Sequence, residues 1–479
     1  MGKRGGGHPP GQPFLDRCVR TGPPSAPPAL SPPRPHPADA HAGTGGSCSC
    51  KWLAAVAVLV LLWGLSGDRP AANGDRDWAY TVVVDAGSTG SRVHVFRFSR
   101  RGDGGLALEE DVFRQQKPGL SSYADDPRAA AASLKPLLDA AVATVPEALR
   151  GVTAIQVRAT AGLRFLEGTA SEDILSQVEL FLGTYPFVVP EKGVTIMDGM
   201  DEGAYMWLTM NYLLGNVGRG FGDTVGSIDL GGGSVQQAYA VSDEAAAAAP
   251  PGYVQEMRLG DVTYNVYVHS YLGYGLMAAR AGILGLAPTS NGKASNCVAG
   301  GFAGTYTYNG QSYGVQPDAA GADAAGCVAD AALTLQREPP ALAPEDCPSD
   351  RPCAFVAAWD GGGGPGAERV LLTSYFFDRA VEAGLATEGA SEVALAPRDF
   401  LAKASEACAA DSVEALEAGG KAEHAPYFCM DLAFIYALLT EGFGVNAGAG
   451  VQAYKKFLYN GREFESAWPL GAALVTVVD

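Results

Sequence analysis

The feature of this sequence that most constrains its fold is a pattern that occurs twice. An apolar segment ends at Asp85, a loop rich in Gly, Ser and Thr follows, and a segment of alternating apolar and polar residues comes next; the same order recurs at Asp229. Short apolar runs are typical of buried strands, and alternation is typical of half-buried strands. The repeat therefore predicts two related strand–loop–strand units, one in each lobe of an α/β protein.

Both loops have the composition of a phosphate-binding turn. Glycine lets the backbone approach a phosphate and turn its N–H groups inward, and hydroxyl side chains add further donors. An Asp at each strand end offers an oxygen to a hard divalent cation, directly or through its waters. We therefore expect the loops to face each other around a polyphosphate and a metal; the sequence contains no G-x-x-x-x-G-K-[S/T] loop that could serve instead. The candidate binding residues are Asp85, Ala86, Gly87, Ser88, Thr89, Gly90, Ser91 and Arg92 in the first loop, and Asp229, Gly231, Gly232, Gly233, Ser234, Val235 and Gln236 in the second.

Hydrolysis at such a clamp also requires a base that orients a water molecule and accepts its proton. Glu202 is one candidate, but it stands at a predicted helix start, where acidic residues are common because they interact with the helix dipole. Thr160 follows a predicted strand and stands close to Gly162, so it either contacts a phosphate or caps the next helix. Residue chemistry alone leaves both questions open.

The remaining periodicity places these motifs in an alternating series of strands and helices. Pro146 ends the first long helical segment, because proline cannot continue a helix. The predicted strands are Tyr80–Val84, Ser91–Phe98, Ala154–Ala159, Thr224–Ile228 and Val235–Val241, and the predicted helices are Ala129–Val145 and Glu202–Leu214.

The chain carries a formal net charge of -18, with 34 Lys and Arg against 52 Asp and Glu. This excess of acidic residues is incompatible with the broad basic surface that nucleic-acid binding needs, so we expect no nucleic-acid partner. Nucleotide polyphosphates can still bind, because loop amides and a metal supply positive potential locally.

Six of the nine cysteines lie in the C-terminal half of the chain. An even number on one side of an apolar segment indicates three disulfides in an oxidising compartment, and six cysteines allow 15 pairings. We favour the pairing of neighbours. The alternative, a zinc site, lacks a C-x-x-C motif or a nearby His pair. The favoured pairs are Cys297–Cys327, Cys347–Cys353 and Cys408–Cys429.

The N-terminal region predicts a membrane tether. Residues 1–50 are rich in Pro, Gly, Ser and Ala, which cannot support a packed core, and we expect a disordered cytoplasmic tail. An apolar run, Trp52–Leu65, follows; as a helix it would span roughly 21 Å, short of a full bilayer core. We predict a type II signal anchor over 51–67, with its N-terminus in the cytoplasm, and a polar linker over 68–77. A cleaved signal peptide and a buried helix are the alternatives.

Five sequence blocks, in order, closely resemble the apyrase family, the nucleoside triphosphate diphosphohydrolases, in its plant-type branch. The resemblance extends from about Tyr80 to the last residue, which makes it far more specific than any single motif. The blocks are Val84–Arg92 (VDAGSTGSR), Ala159–Arg164 (ATAGLR), Asp198–Trp207 (DGMDEGAYMW), Ile228–Gln236 (IDLGGGSVQ) and Ala467–Gly471 (AWPLG).

The resemblance implies a duplicated, two-lobed, actin-like ribonuclease-H fold with the active site in the cleft between the lobes. Lobe I would comprise residues 78–198 and 461–479, and lobe II residues 199–460. The implied activity is hydrolysis of the terminal phosphates of nucleoside tri- and diphosphates to the monophosphate and inorganic phosphate. The catalytic part would be lumenal or extracellular, in a single-pass type II membrane protein of the secretory pathway.

The resemblance also implies roles for individual residues. Glu202 would be the general base, Ser234 and Gln236 would position the nucleophilic water, and Thr160 would lie near the reaction centre. Asp85 and Asp229 would organise the water shell of Ca²⁺ or Mg²⁺. The phosphates would be held by the loop amides and by the side chains of Ser88, Thr89 and Arg92. His94 and His269 are interpreted as packing residues.

Three other functions remain as alternatives. A Golgi-type nucleoside diphosphatase acting mainly on GDP and UDP would carry the same catalytic blocks. A sugar kinase or polyphosphatase of the same fold would need a sugar-binding Asp in place of the block around Glu202. A secreted nucleotide- or lectin-binding module would not need both carboxylates and Glu202 around one clamp.

Overall fold

A computed structural model describes residues 78–87, 89–100, 105–259, 261–286, 294–318, 321–336, 358–410 and 424–478, which belong to one compact unit. The described residues have the predicted α/β architecture. The strands are β1 (Trp78–Ala86), β2 (Ser91–Arg100), β3 (Leu106–Gln116), β4 (Ala154–Ala159), β5 (Val194–Ile196), β6 (Gly226–Leu230), β7 (Ser234–Val241), β8 (Val254–Leu259), β9 (Val262–Leu272), β10 (Gly304–Tyr308), β11 (Gln311–Val315), β12 (Val370–Ser374), β13 (Glu392–Leu395), β14 (Val451–Tyr454), β15 (Lys456–Tyr459) and β16 (Arg462–Glu465). The α-helices are α1 (Pro127–Ser133), α2 (Lys135–Thr144), α3 (Glu147–Arg150), α4 (Ala161–Arg164), α5 (Ala170–Leu182), α6 (Gly199–Leu213), α7 (Asp243–Ala248), α8 (Leu276–Gly285), α9 (Ala324–Leu335), α10 (Tyr375–Glu382), α11 (Pro397–Cys408), α12 (Phe428–Ala437) and α13 (Trp468–Val478).

Two β-sheets that share an order and direction of strands form the framework of the described residues. The five-stranded sheet has the order β3-β2-β1-β4-β5; β1, β2 and β3 are antiparallel, while β4 and β5 run parallel to β1. The seven-stranded sheet has the order β13-β14-β12-β6-β7-β9-β8. Its segment β9-β7-β6-β12-β14 repeats the five-stranded plan, with the same directions. The two loops identified in the sequence join equivalent strands, β1 to β2 and β6 to β7, so the predicted duplication is confirmed.

The apolar run that ends at Asp85 is explained by the position of β1 inside its sheet. Val82 and Val84 pack with the helices on one face, and Val83 packs on the other face with Phe96 and Trp207. A strand covered on both faces reads as continuously apolar rather than alternating. The strands predicted around both loops are therefore present, within two residues of their predicted ends at the loops.

The single helix predicted over Ala129–Val145 is wrong, because the chain forms two helices, α1 and α2, that meet at Leu134. Pro136 stands in the first turn of α2 and has no N–H to donate to the preceding turn. A proline is tolerated at that position, since the first N–H groups of a helix have no partner within it. The break is therefore the ordinary consequence of one proline inside a helical pattern.

Two buried helices connect the sheets. α6 contributes Trp207 and Met210 to a core that includes residues from both sheets, and α13 packs against α6 and β1. A Cβ at Gly471 would stand 2.1 Å from the Tyr205 carbonyl oxygen, so only glycine allows this close approach. Glu202 lies in the first turn of α6 and is thereby placed between the two sheets.

Two of the three predicted disulfides, Cys297–Cys327 and Cys408–Cys429, are confirmed; Cys347 and Cys353 lie outside the described residues. The predicted tail, anchor and linker over residues 1–77 also lie outside them. Within the ranges given above, no helix combines the length and the apolarity that crossing a membrane requires. The boundaries predicted for the two lobes stay a prediction.

Candidate active site

A cleft of about 210 Å³ brings the two loops together. Its lining includes residues from both sheets and from the first turn of α6, so the predicted meeting of Asp85 and Asp229 is observed. The candidate residues that line it are Asp85, Gly87, Thr89, Arg92, Thr160, Glu202, Asp229, Gly231, Gly232, Gly233 and Ser234.

Some candidates lie elsewhere. Ala86, Ser91 and Val235 are buried strand residues and do not line the cleft, while Gly90 stands beside the Gln116 carbonyl. A loop that binds through its backbone leaves such side chains free to pack in the sheet. Ser88 lies outside the described residues, and Gln236 is discussed with Glu202 below.

Asp85 ends β1 and faces Arg92 across the antiparallel pair. The Arg92 guanidinium lies 3.2 Å from Asp85 Oδ2. Burial raises the pKa of Asp85, and the positive charge of Arg92 opposes that change. Oδ1 of Asp85 is buried and has no hydrogen-bond partner among the residues that the structure describes. An unpartnered buried carboxylate oxygen is costly, so this atom is a candidate ligand for a cation or its water shell.

Asp229 stands at the equivalent position of β6 and is more enclosed. Its Oδ1 accepts a hydrogen bond from Thr373 Oγ1 at 2.9 Å, since Thr373 is its register partner on β12. Burial raises the pKa of Asp229, and the charge of Asp85 adds to this increase. The two carboxylates therefore share one electrostatic environment, in which a cation would relieve their repulsion.

Glu202 lies 9% exposed between the loops. Its helix begins at Asp198, whose side chain accepts the Met200 N–H at 2.8 Å. Glu202 Oε2 accepts hydrogen bonds from Arg164 Nη2 at 3.1 Å and from Gln236 Nε2 at 3.4 Å. Burial raises the pKa of Glu202 to about 7; the charges of Asp229 and Asp85 add to the increase, and Arg164 opposes it. A carboxyl group with a pKa near 7 is suited to general-base catalysis at neutral pH.

Gln236 lies directly behind the second loop, as the register partner of Asp229. Its Nε2 also donates to Ser234 Oγ at 2.7 Å and to Ser270 Oγ at 2.9 Å. Its Oε1 is buried and accepts no hydrogen bond from any described residue. The network therefore presents one carboxylate, two hydroxyls and one acceptor without a described partner within a single cluster.

Thr160 is the residue before α4, and its N–H donates to the Ala86 carbonyl at 3.2 Å. Its side chain makes no capping hydrogen bond, and the residue lines the cleft. Of the two alternatives left open by the sequence, the position in the cleft is therefore the one observed.

Several residues of the site were not identified from the sequence. His94 is the buried packing residue that the sequence interpretation expected, with its ring against Phe96 and Phe113 and its Nδ1 2.9 Å from Asp111 Oδ2, but it also borders the cleft. Ser374 also lines the cleft, with a φ of 60° that a non-glycine residue seldom adopts. A sequence signal existed for Thr373 and Ser374, because they end an apolar run that becomes a parallel neighbour of β6. Arg164 stands in the block Ala159–Arg164, which marked the region but gave the arginine no role.

No group of three or more His, Cys, Asp or Glu side chains that could hold a metal directly is found in the described part of the chain. The residues present nevertheless fit a divalent cation: Asp85, Asp229 and Glu202 line one cleft, and Asp85 Oδ1 is a buried acceptor without a partner. Oxygen ligands and bound waters are the environment that Ca²⁺ and Mg²⁺ prefer.

Comparison with known proteins gives a consistent result. The GDA1/CD39 (nucleoside phosphatase) family matches residues 72–479. The chain is 42% identical over 443 residues to probable apyrase 2 of Oryza sativa subsp. japonica, covering 88% of this chain and 92% of that protein. It is 33% identical over 402 residues to the nucleoside diphosphate phosphatase ENTPD5 of Homo sapiens, covering 82% and 86% respectively. A crystal structure of nucleoside triphosphate hydrolases from Neospora caninum superposes with a TM-score of 0.57 at 14% identity, covering 88% of this chain and 96% of that one, and supports the fold alone.

Proposed function

Because this chain belongs to the GDA1/CD39 (nucleoside phosphatase) family, we propose that it hydrolyses the terminal phosphates of nucleoside tri- and diphosphates. The similarity to probable apyrase 2 covers most of both chains, which supports this substrate class. The cleft adds independent support, since two glycine-rich loops and three carboxylates line it together. A site of this composition binds phosphates through N–H and hydroxyl groups and needs a cation to balance its charge.

The arrangement of Glu202 and Gln236 is the observation that carries the mechanism. Gln236 donates from Nε2 to Glu202, Ser234 and Ser270. Its buried Oε1 is an acceptor without a described partner. A water that donates one hydrogen to Gln236 Oε1 and the other to Glu202 is fixed in orientation. Glu202 accepts the second proton as the water oxygen bonds to the terminal phosphorus and the bond from that phosphorus to the bridging oxygen breaks, which releases the shortened nucleotide and inorganic phosphate. This general-base step contributes about 10²–10⁴-fold.

The remaining residues of the cleft would bind and orient the nucleotide. The hydroxyls of Thr89 and Ser234 and the amides of the glycine loops donate to phosphate oxygens, and Arg92 supplies a positive charge. Asp85 and Asp229 would hold the water shell of a divalent cation, Ca²⁺ or Mg²⁺, which when bound neutralises phosphate charge. Thr160, which lines the cleft just before α4, would lie near the reacting phosphate.

A phosphate-release assay tests this function. We expect the protein to release phosphate from ATP and ADP in the presence of Ca²⁺ or Mg²⁺, to leave AMP intact, and to lose activity in excess EDTA. Glu202→Gln should lower kcat by at least about 10²-fold with little change in KM, because the phosphates are held by other groups. The exposed Glu179 provides the matched control, Glu179→Gln, which should retain wild-type kcat. Absence of phosphate release from every nucleotide, or full activity in EDTA, would contradict the proposal.

The nucleoside diphosphatase alternative is favoured by the similarity to the human nucleoside diphosphate phosphatase. The catalytic residues are compatible with either preference. The same assay separates the two, because the apyrase proposal predicts phosphate release from both ATP and ADP, whereas the alternative predicts a strong preference for GDP and UDP over ATP.

We also propose that the enzyme is held in the secretory pathway by residues 51–67, with the cleft on the non-cytosolic side. The two disulfides Cys297–Cys327 and Cys408–Cys429 support an oxidising compartment. In sealed microsomes, the catalytic part should be resistant to added protease until detergent is present. Digestion in intact microsomes would exclude this topology.

A further inference from the structure

Glu202 is held by one hydrogen bond from each half of the molecule. Gln236, on β7 of the seven-stranded sheet, donates from one side at 3.4 Å. Arg164, at the end of the helix that follows β4 of the five-stranded sheet, donates from the other at 3.1 Å. The second bond is the shorter of the two and is also an ion pair.

Arg164 fixes the backbone at the start of α6 as well as the carboxylate. Its Nε and Nη2 donate to the Met197 carbonyl at 3.0 and 2.7 Å. Met197 directly precedes Asp198, the residue that caps α6. A planar guanidinium can hold two acceptors in fixed relative positions, which a lysine cannot do. Arg164 therefore sets where α6 begins and where the Glu202 side chain points.

The pair is largely removed from solvent. The Arg164 and Glu202 side chains are 13% and 11% exposed. An ion pair with this little exposure is weakly screened, unlike a surface pair. Removing one partner leaves an uncompensated buried charge.

Arg164 does not belong to the nucleotide cleft. It lines a second cavity of about 480 Å³, together with Met197, His269 and Ser270, and it is absent from the residues that line the cleft itself. Arg164 therefore contacts Glu202 from the side of this second cavity and not from the nucleotide cleft.

We propose that Arg164 is the positioning residue of the general base, aiming the Glu202 carboxylate through their ion pair without touching the nucleotide. This inference rests on the proposed function of Glu202. The charged groups that act on Glu202 come from three elements: Asp85 on β1 and Asp229 on β6 favour its protonation, and Arg164 opposes it. An opposite charge at hydrogen-bond distance lowers the pKa of a carboxyl group by about 1–3 units.

The test compares Arg164→Gln, Arg164→Lys and the control Arg258→Gln in the phosphate-release assay across neutral pH. Arg258 has a side chain that is 70% exposed, so the control removes the same charge from the surface. For Arg164→Gln we expect kcat at neutral pH to fall about 10–100-fold with little change in KM, and the acid limb of the kcat profile to move up by about one pH unit. Arg164→Lys keeps the charge, so its acid limb should stay in place while kcat falls less.

Two outcomes would overturn the inference. The first is wild-type kcat and an unmoved acid limb in Arg164→Gln. The second is an equal loss of kcat at all pH values in both variants, which indicates a purely structural role. If Arg164→Gln does not fold, Arg164→Lys decides the matter: a lower kcat with unchanged KM and an unchanged thermal unfolding midpoint supports the inference, whereas an unchanged kcat, or a loss of kcat that accompanies a loss of stability, refutes it. An inactive wild-type protein would instead refute the proposed function.

Discussion

The two loops of the cleft share a sequence pattern but are held in different ways. In the loop after β1, Asp85 forms an ion pair with a long side chain, Arg92. In the loop after β6, Asp229 accepts a hydrogen bond from Thr373 on the neighbouring strand. The backbone carbonyls of this loop accept hydrogen bonds from the segment that runs from Gly273 into α8. These hydrogen bonds run from Leu276 N–H to Gly231 O at 2.9 Å, from Met277 N–H to Gly232 O at 2.9 Å and from Gly273 N–H to Gly233 O at 2.8 Å.

The same sequence pattern therefore forms two loops with different physical properties. A loop whose carbonyls accept backbone hydrogen bonds cannot move without breaking them, so the second loop is preorganised. An aspartate paired to a flexible arginine can exchange that partner for a phosphate or a cation. We infer that the second loop fixes the geometry of the cleft and that the first adapts to the ligand.

The largest expected effect is on local stability under reducing conditions. The disulfides distinguish the half of the molecule built on the seven-stranded sheet from the half built on the five-stranded sheet. Both described disulfides lie in the half that contains the second loop, and each is expected to stabilise the fold by roughly 2–4 kcal/mol in the chain-entropy view. Under reducing conditions, amide hydrogen exchange should become faster in the seven-stranded sheet before it does in the five-stranded sheet. Equal acceleration in both sheets, or none, would contradict the comparison.

The next effect concerns the two aspartates. Asp85→Asn and Asp229→Asn should each lower kcat by about 10–100-fold, because outer-sphere partners of a metal typically contribute that much. Asp85→Asn also releases Arg92 from its ion pair, so its KM should change more than that of Asp229→Asn. Kinetics at several metal concentrations measure both values, with the exposed Asp125→Asn as control. Identical KM values in the two variants would remove the distinction between the loops.

A pair of glycine substitutions tests the rigidity of the loops directly. A Cβ at Gly275 would lie 2.4 Å from Ser234 N, a backbone atom, whereas a Cβ at Gly87 would lie 2.9 Å from the Arg92 guanidinium, the end of a flexible side chain. Gly275→Ala should therefore displace the second loop and lower kcat about 10-fold, and Gly87→Ala should cost only about 2–3-fold because the arginine can move. The opposite order would show that the first loop is the rigid one.

The smallest expected effect is on the pH dependence. The pKa of Glu202 is raised to about 7, with a larger contribution from Asp229 than from Asp85. Since a base must be deprotonated, kcat should rise with pH through this value. Removing a neighbouring negative charge lowers the pKa of Glu202, so the acid limb should move to lower pH by a few tenths of a unit, more in Asp229→Asn than in Asp85→Asn. A shift to higher pH in either variant would contradict the assigned electrostatics.

The strands around both loops, the helix that carries Glu202 and two neighbouring cysteine pairs were predictable, because each depends on residues close together in the sequence. The break in the helix at Leu134 was also a local event, and the position of Pro136 was the signal that the prediction overlooked. His94 was correctly interpreted as a packing residue, because its buried ring packs against Phe96 and Phe113; that it also borders the cleft depends on the pairing of β2 with β1, which no pattern within β2 shows.

The sequence by itself determined the α/β class, the duplication and the chemistry of the two loops, since periodicity and turn composition are local properties of the chain. Only the tertiary structure decided which groups act on Glu202. Arg164 and Gln236 are 38 and 34 residues away from it along the chain; Arg164 ends the helix that follows β4, and Gln236 lies in β7 of the other sheet. Burial and charge depend on such distant neighbours in space, so the pKa of about 7 for Glu202 is a property of the assembled cleft rather than of any segment.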